Sequence, residues 1–276
     1  MNLKFRIANY GLFVLLIFGF GFSVSAVEPN DANTNSSYSP GYSPATGVFM
    51  KDAKAFPKIF LEDTKKTYFN SGNLMLLLMA GGGSIALHDR ADEKIGNHFE
   101  EHRSLPKDLD NFTDMAGNPG IHFAATGIWY WAASSKKDDL NMQRSWIMFR
   151  ALAVTGATTL MLKGIANNHS PNGASLAWPS GHTSSSFTVA AVLDEFYGPK
   201  IGIPAYLAAG FVGYRMMDSG DHWASDVLFG GVLGYVVGHA IAGENKNFNI
   251  AGFKIAPFTP TLGDRPAPGI ALAKEF

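Results

Sequence analysis

Between residues 74 and 242 the chain passes through six apolar runs, at 74–87, 121–133, 146–162, 184–196, 201–217 and 227–242. Runs of this length read as helices, and helices that must bury apolar faces on one another make a bundle. The last run carries Gly230, Gly234 and Gly238 at four-residue spacing. That spacing puts all three on one helix face, where a neighbouring backbone can approach closely. It serves a helix pair in a bilayer and a tightly packed soluble core equally. The expected architecture is all-α, a helical bundle, with the chain's distinctive polar residues at helix ends.

The segments between and around these runs set the expected boundaries. A polar helix is expected around 60–68, a charged surface helix and loop over 88–107, and a loop rich in Asn, Ser, Pro and Gly over 164–180. From 247 to 276 prolines interrupt any helical period, which predicts a tail of short extended strands. At the other end, Lys4 and Arg6 precede an apolar run over 11–24, with Val24-Ser25-Ala26 at the cleavage positions. That pattern predicts a signal peptide over 1–26, with an uncleaved anchor helix as the alternative. Residues 27–47 read as a disordered leader, and 48–246 as the helical domain. The resulting location is exported, in the periplasm or cell envelope.

Against a span of about 20 apolar residues, several runs fall short. Run 74–87 is short and weakened as a helix core by Gly81-Gly82-Gly83, run 146–162 carries Arg150, and run 184–196 reaches Asp194 and Glu195. Runs 201–217 and 227–242 are the best candidates. With mean hydropathy close to neutral, the sequence favours a soluble or peripherally membrane-bound domain over an integral one. A net charge of −1 and no basic tract give no electrostatic case for nucleic acid. The absence of cysteine excludes disulfides, thiolate metal sites and cysteine nucleophiles.

Two short stretches carry the chemistry. Trp178-Pro179-Ser180-Gly181-His182 precedes a Thr-Ser-Ser-Ser-Phe run that reads as a first helical turn, whose outward amides favour an anion. Asp221-His222-Trp223-Ala224-Ser225-Asp226 places a carboxylate four residues after His222. On a helix the two would share a face, and the carboxylate would accept a hydrogen bond from one ring N–H and leave the other nitrogen nucleophilic. Upstream lie Lys163 with Asn168-His169-Ser170-Pro171, and Gly213-Tyr214-Arg215.

From Lys163 to Asp226 the chain resembles the superfamily of type 2 phosphatidic acid phosphatases, class A bacterial acid phosphatases and vanadium haloperoxidases. That pattern is Lys-x6-Arg-Pro, then Pro-Ser-Gly-His, then Ser-Arg-x5-His-x3-Asp. The second block matches in full. The first has Ser170 in place of arginine, and the third has Tyr214 in place of serine, with one extra residue between Arg215 and His222. The resemblance implies a metal-independent phosphoric monoester hydrolase, with no cofactor and with a phosphorylated small molecule or lipid phosphate as substrate. It assigns His222 as nucleophile through a phosphohistidine, Asp226 as its orienting group and His182 as general acid. Lys163, Arg215, Ser180 and the Gly181 amide would hold the phosphoryl oxygens. No metal site is expected.

Ser170 cannot supply the missing guanidinium's charge or its two-pronged donor geometry. His169, Arg144 or Arg150 are the compensating groups the sequence offers. The turn-like Asp218-Ser219-Gly220 is expected to absorb the extra residue. Asp218 and Asp221 read as solvated loop residues, and His88, His98, His102, His122 and His239 as structural. Two alternatives stay open: a vanadium haloperoxidase, disfavoured by the lost arginine, and a degenerate envelope binding or structural protein. The sequence leaves the oligomeric state undetermined.

Overall fold

The computed structural model describes residues 48–243 and, beyond them, the strand residues 248–250, 253–258, 261–262, 265–266 and 269–274. The expected signal peptide and leader lie outside the described residues. The chain divides into two compact units, residues 1–55 and 56–276. Nine α-helices occur among the described residues: α1 (Val48–Tyr68), α2 (Ser71–Leu87), α3 (Glu93–Glu101), α4 (Lys107–Gly117), α5 (Pro119–Lys136), α6 (Asp139–Ala166), α7 (Gly181–Tyr197), α8 (Pro199–Asp218) and α9 (Ala224–Ala242). A π-helical turn, His88–Asp92, joins α2 to α3.

The helix boundaries follow from local chemistry. Asn70 starts α2 by accepting the Asn73 amide at 3.0 Å, and Asp138 starts α6 by accepting the Asn141 amide at 3.0 Å. Just before it, Lys137 ends α5 in the left-handed conformation at φ 54°. The Lys-Lys-Asp-Asp segment is therefore a C-cap followed at once by an N-cap. α2 continues unbroken through Gly81-Gly82-Gly83, contrary to the weakening expected there. α4 was not anticipated.

The core runs along α9. Phe229, Leu233, Val237 and Ile241 pack with Met148, Ala151, Leu152 and Val154 of α6, Val192 of α7 and Ala80 of α2. The glycine face of α9 meets α7 at backbone distance. A Cβ on Gly234 would lie 2.1 Å from the Ser184 carbonyl oxygen and 2.8 Å from the Thr188 amide nitrogen, and one on Gly230 would lie 2.8 Å from the Ser180 carbonyl oxygen. α6 joins α7 through hydroxyl pairs, Thr155 to Thr188 at 2.8 Å and Thr159 to Ser184 at 3.1 Å. Small and hydroxyl side chains thus bring α6, α7 and α9 together and fix the relative positions of the helix ends that carry the motif residues.

The tail holds short antiparallel strands, as expected. β1 (Phe248–Ile250), β2 (Phe253–Phe258) and β5 (Gly269–Lys274) form one sheet in the order β1-β2-β5. β3 (Thr261–Leu262) pairs with β4 (Arg265–Pro266).

Candidate active site

Every motif residue lies at or near one end of the bundle, where α6 and α8 finish and α7 and α9 begin. Ser180 starts α7. Its Oγ accepts the Thr183 amide at 3.3 Å and the Thr183 hydroxyl at 2.9 Å, and its own amide donates to the Asp226 carbonyl at 3.1 Å. Ser180 is fully buried. The Gly181 and His182 amides are the next along this N-terminus, ahead of the first intrahelical acceptors and at the positive end of the helix dipole.

Asp226 meets His222 by a different route from the shared helix face expected. His222 lies outside α9, which begins at Ala224, and Asp226 occupies its third position. There Asp226 Oδ2 accepts the Trp223 amide at 3.0 Å and faces His222 Nδ1 at 3.2 Å. A proton on Nδ1 leaves Nε2 with its lone pair. A second buried carboxylate, Asp92 of the π-helical turn, accepts both the amide (3.0 Å) and the hydroxyl of Ser225. Asp92 and Asp226 therefore share the satisfaction of the α9 N-terminus.

Arg215, buried in the last turn of α8, is surrounded by carboxylates. Its Nε donates to Asp110 Oδ1 at 2.7 Å, and its Nη1 lies 2.9 Å from Asp114 Oδ1 and 2.6 Å from Asp221 Oδ2. The same Asp114 oxygen is 3.4 Å from His182 Nε2, so one carboxylate spans the expected phosphate-binding arginine and the expected acid. Asp110 and Asp114 stand one turn apart on α4 and were missed with that helix. Pro106 followed by acidic Asp108 and Asp110 is a helix-start signal that would have found it.

Lys163, near the end of α6, donates to the Leu176 carbonyl and to the Ala177 carbonyl at 2.9 Å. Its Cε lies 4.0 Å from where a Cβ on Gly181 would sit, so the ammonium stem borders the α7 N-terminus. Leu176 holds φ 61°, a left-handed conformation uncommon for a bulky side chain, where its carbonyl meets the ammonium.

Several expectations are corrected. Ser170 is buried, and its hydroxyl donates within its own loop, to Asn172 Oδ1 at 2.6 Å and the Ala174 carbonyl at 3.2 Å. His169 is exposed, and its carbonyl accepts from the Trp223 indole at 2.7 Å. Arg150 is committed to Asp63 by two bonds of 2.8 and 2.6 Å, and Arg144 stacks on Tyr197 at 4.8 Å. Neither arginine is placed at the motif residues. Asp218 is buried and clasps Ser104 and Leu105 rather than facing water, and Asp221 is the ion-pair partner described above. Asp218 ends α8, and Ser219 and Gly220, the latter at φ 74°, form the turn that follows it. The site's elements are thus two histidines, each with an aspartate nearby, and two cations at the mouth of a helix N-terminus.

A family profile described as the PAP2 superfamily matches residues 159–247. Residues 159–247 are a PAP2-superfamily segment. Over 72 residues the chain is 39% identical to the lipid A 1-phosphatase of Porphyromonas gingivalis, a match covering 25% of this chain and 16% of that relative. Among solved structures, a transmembrane PAP2-type phosphatidylglycerolphosphate phosphatase from Bacillus subtilis superposes with TM-score 0.51 at 18% identity, covering 62% of this chain and 94% of that one. LpxE of Aquifex aeolicus gives TM-score 0.44 at 20% identity, over 51% of this chain and 90% of that one. The first of these structures shows that the PAP2 segment sits in a bundle of the same fold as a helical phosphatase.

Proposed function

We propose that this PAP2 protein is a metal-independent phosphatase acting on phosphomonoesters carried by lipids. The observation that carries the reading is the His222–Asp226 pair beside the α7 N-terminus, with His182 and Arg215 linked through Asp114. His222 Nε2 attacks phosphorus, and the bond from phosphorus to the leaving oxygen breaks. His182 gives that oxygen its proton. Water then attacks phosphorus as His182 takes a proton back, the N–P bond breaks, and phosphate departs. Asp226 holds the imidazole and stabilises its positive charge, while the Gly181 amide, Lys163 and Arg215 meet the phosphoryl oxygens.

A lipid substrate is supported by the surface of the bundle. Leu78 of α2, Trp131 of α5, Leu160 and Ile165 of α6, and Ile203 and Leu207 of α8 are large apolar side chains left exposed. Six large apolar side chains left exposed on four helices would be matched by an apolar surrounding such as lipid. α6 and α9 are also long and apolar enough to cross a membrane, although α9 is largely a core helix. Both features support a bundle immersed in a bilayer, with its catalytic end at the headgroups, over the peripheral domain favoured by the sequence.

Phosphate release by purified full-length protein, with EDTA present, tests the reading on mixed micelles of a lipid phosphate and on a soluble aryl phosphate. Lipid-preferring release supports it. One observation favours the non-catalytic alternative: Arg215 is already engaged by three carboxylates. No release from either substrate, with His222→Ala indistinguishable from wild type, selects that alternative.

A further inference from the structure

Arg215 Nη1 already has two anions on it, Asp114 Oδ1 at 2.9 Å and Asp221 Oδ2 at 2.6 Å. Asp221 Oδ2 accepts from that nitrogen at 2.6 Å and from Ser219 Oγ at 2.7 Å, and Asp221 Oδ1 accepts from Asn172 Nδ2 at 2.8 Å. The Asn172 amide also donates to the Gly220 carbonyl at 3.0 Å. The loop that carries Ser170 in place of arginine is thus joined to the loop that carries the extra residue before His222. Two departures that look independent in the sequence meet at one carboxylate.

We propose that Asp221 is an internal anion which occupies the phosphoryl-binding nitrogen of Arg215 and thereby sets how weakly the site holds free phosphate. This rests on the phosphatase reading of the site. A carboxylate and a phosphoryl oxygen make the same kind of charge-assisted bond to a guanidinium, so they compete for one donor. They also repel each other at close range, and Ser170 brings no charge to offset the repulsion.

Asp221 is the carboxylate placed to yield. It sits outside any helix with its side chain 39% exposed, whereas Asp110 is 12% exposed and is held on its other oxygen by Arg103 at 3.2 Å. Asp114 is as exposed, at 44%, but it is carried on α4 and faces His182 as well. A substrate with a large non-phosphate part can displace Asp221 by adding contacts elsewhere. Inorganic phosphate has only the competition. Asp221 therefore makes the site selective for esters over their phosphate product and speeds product departure.

Calorimetric titration of inorganic phosphate and of orthovanadate into the full-length protein tests this with wild type, Asp221→Asn and Asp221→Ser. The asparagine keeps an acceptor for Asn172 and Ser219 without the charge, and the serine removes the carboxylate altogether. Loss of the competing anion should tighten both ligands by roughly tenfold or more, the scale of one charge-assisted hydrogen bond. Equal or weaker binding in both variants, with circular dichroism matching wild type, overturns the role of Asp221 and leaves the phosphatase reading standing. Failure of wild type and both variants to bind either anion overturns the phosphatase reading and this inference with it.

Discussion

His222 Nδ1 and Asp226 Oδ2 face each other at 3.2 Å across the start of a helix, and the same oxygen accepts the Trp223 amide at 3.0 Å. One carboxylate both begins α9 and orients the imidazole. The two duties can be separated. Asp226→Asn keeps an acceptor for the amide but loses the charge that stabilises the imidazolium, so kcat should fall with little change in stability. Asp226→Ala should lose the same activity and, in addition, about 1 kcal/mol of stability. His222→Ala should abolish the acid-labile phosphate that rapid quench traps on the protein during turnover. Equal trapping in that variant would remove His222 as nucleophile.

Asp114 Oδ1 lies 3.4 Å from His182 Nε2 and 2.9 Å from Arg215 Nη1. If the carboxylate positions His182 as the acid, Asp114→Asn should slow esters with poor leaving groups by about tenfold or more and aryl phosphates with good ones far less. Asp114→Glu should restore part of the difference. A uniform loss across leaving groups would instead make Asp114 a simple support for Arg215.

Ser170→Arg tests the placement of the first motif block. The serine is buried, and its hydroxyl is spent on Asn172 and Ala174. An arginine there would have to enter a buried position, so the expected result is a loss of roughly 1–3 kcal/mol from overpacking without tighter vanadate binding. Tighter vanadate inhibition in a protein of unchanged melting temperature would show that position 170 does face the phosphoryl group.

The bundle and the two histidine blocks were legible because both are local signals. Apolar length gave the helices, and Ser180 with the hydroxyl run after His182 signalled a helix start locally. The carboxylate ring around Arg215 was not legible, because Asp110, Asp114 and Asp221 reach it from a helix and a loop far apart in the chain. Nothing in the spacing of Asp221 to Arg215 separates an ion-pair partner from a solvated loop residue. Ser170 misled for a related reason. A motif position implies an orientation only while its loop keeps the motif's shape, and here the hydroxyl turns back on Asn172.

The glycine face of α9 makes a sharp contrast with the glycines of α2. A Cβ at Gly234 would meet the Ser184 carbonyl oxygen at 2.1 Å, whereas one at Gly82 would meet nothing within 4 Å. Gly234→Ala must push α7 and α9 apart, and a cost of about 3 kcal/mol or more is expected, together with loss of activity as the α7 N-terminus moves. Gly82→Ala should be neutral or stabilising by up to about 1 kcal/mol, since alanine is the better helix former. Thermal unfolding of the two variants in the same detergent measures the difference. A Gly234→Ala protein as stable as wild type would mean that α7 and α9 do not pack backbone to backbone.

The absence of cysteine makes the membrane reading directly measurable, because one introduced cysteine is the only thiol in the chain. Leu78, Leu160 and Leu207 are exposed apolar positions on α2, α6 and α8, and Glu100 is exposed on α3. A thiolate forms readily in water and hardly at all in hydrocarbon, and only the thiolate reacts with a maleimide. In native membrane vesicles, cysteines at 78, 160 and 207 should therefore resist a water-soluble maleimide and become reactive when the membrane is stripped to denatured protein. A cysteine at 100 should react in a vesicle preparation whose membranes have been made permeable, without denaturation. Rapid labelling of all four positions in intact folded protein would place Leu78, Leu160 and Leu207 in water and return the chain to the peripheral arrangement. Protection of positions 78, 160 and 207 alone would leave lipid as the simplest surrounding of those side chains. It would also put the site end of the bundle within reach of a phosphate carried on a lipid headgroup.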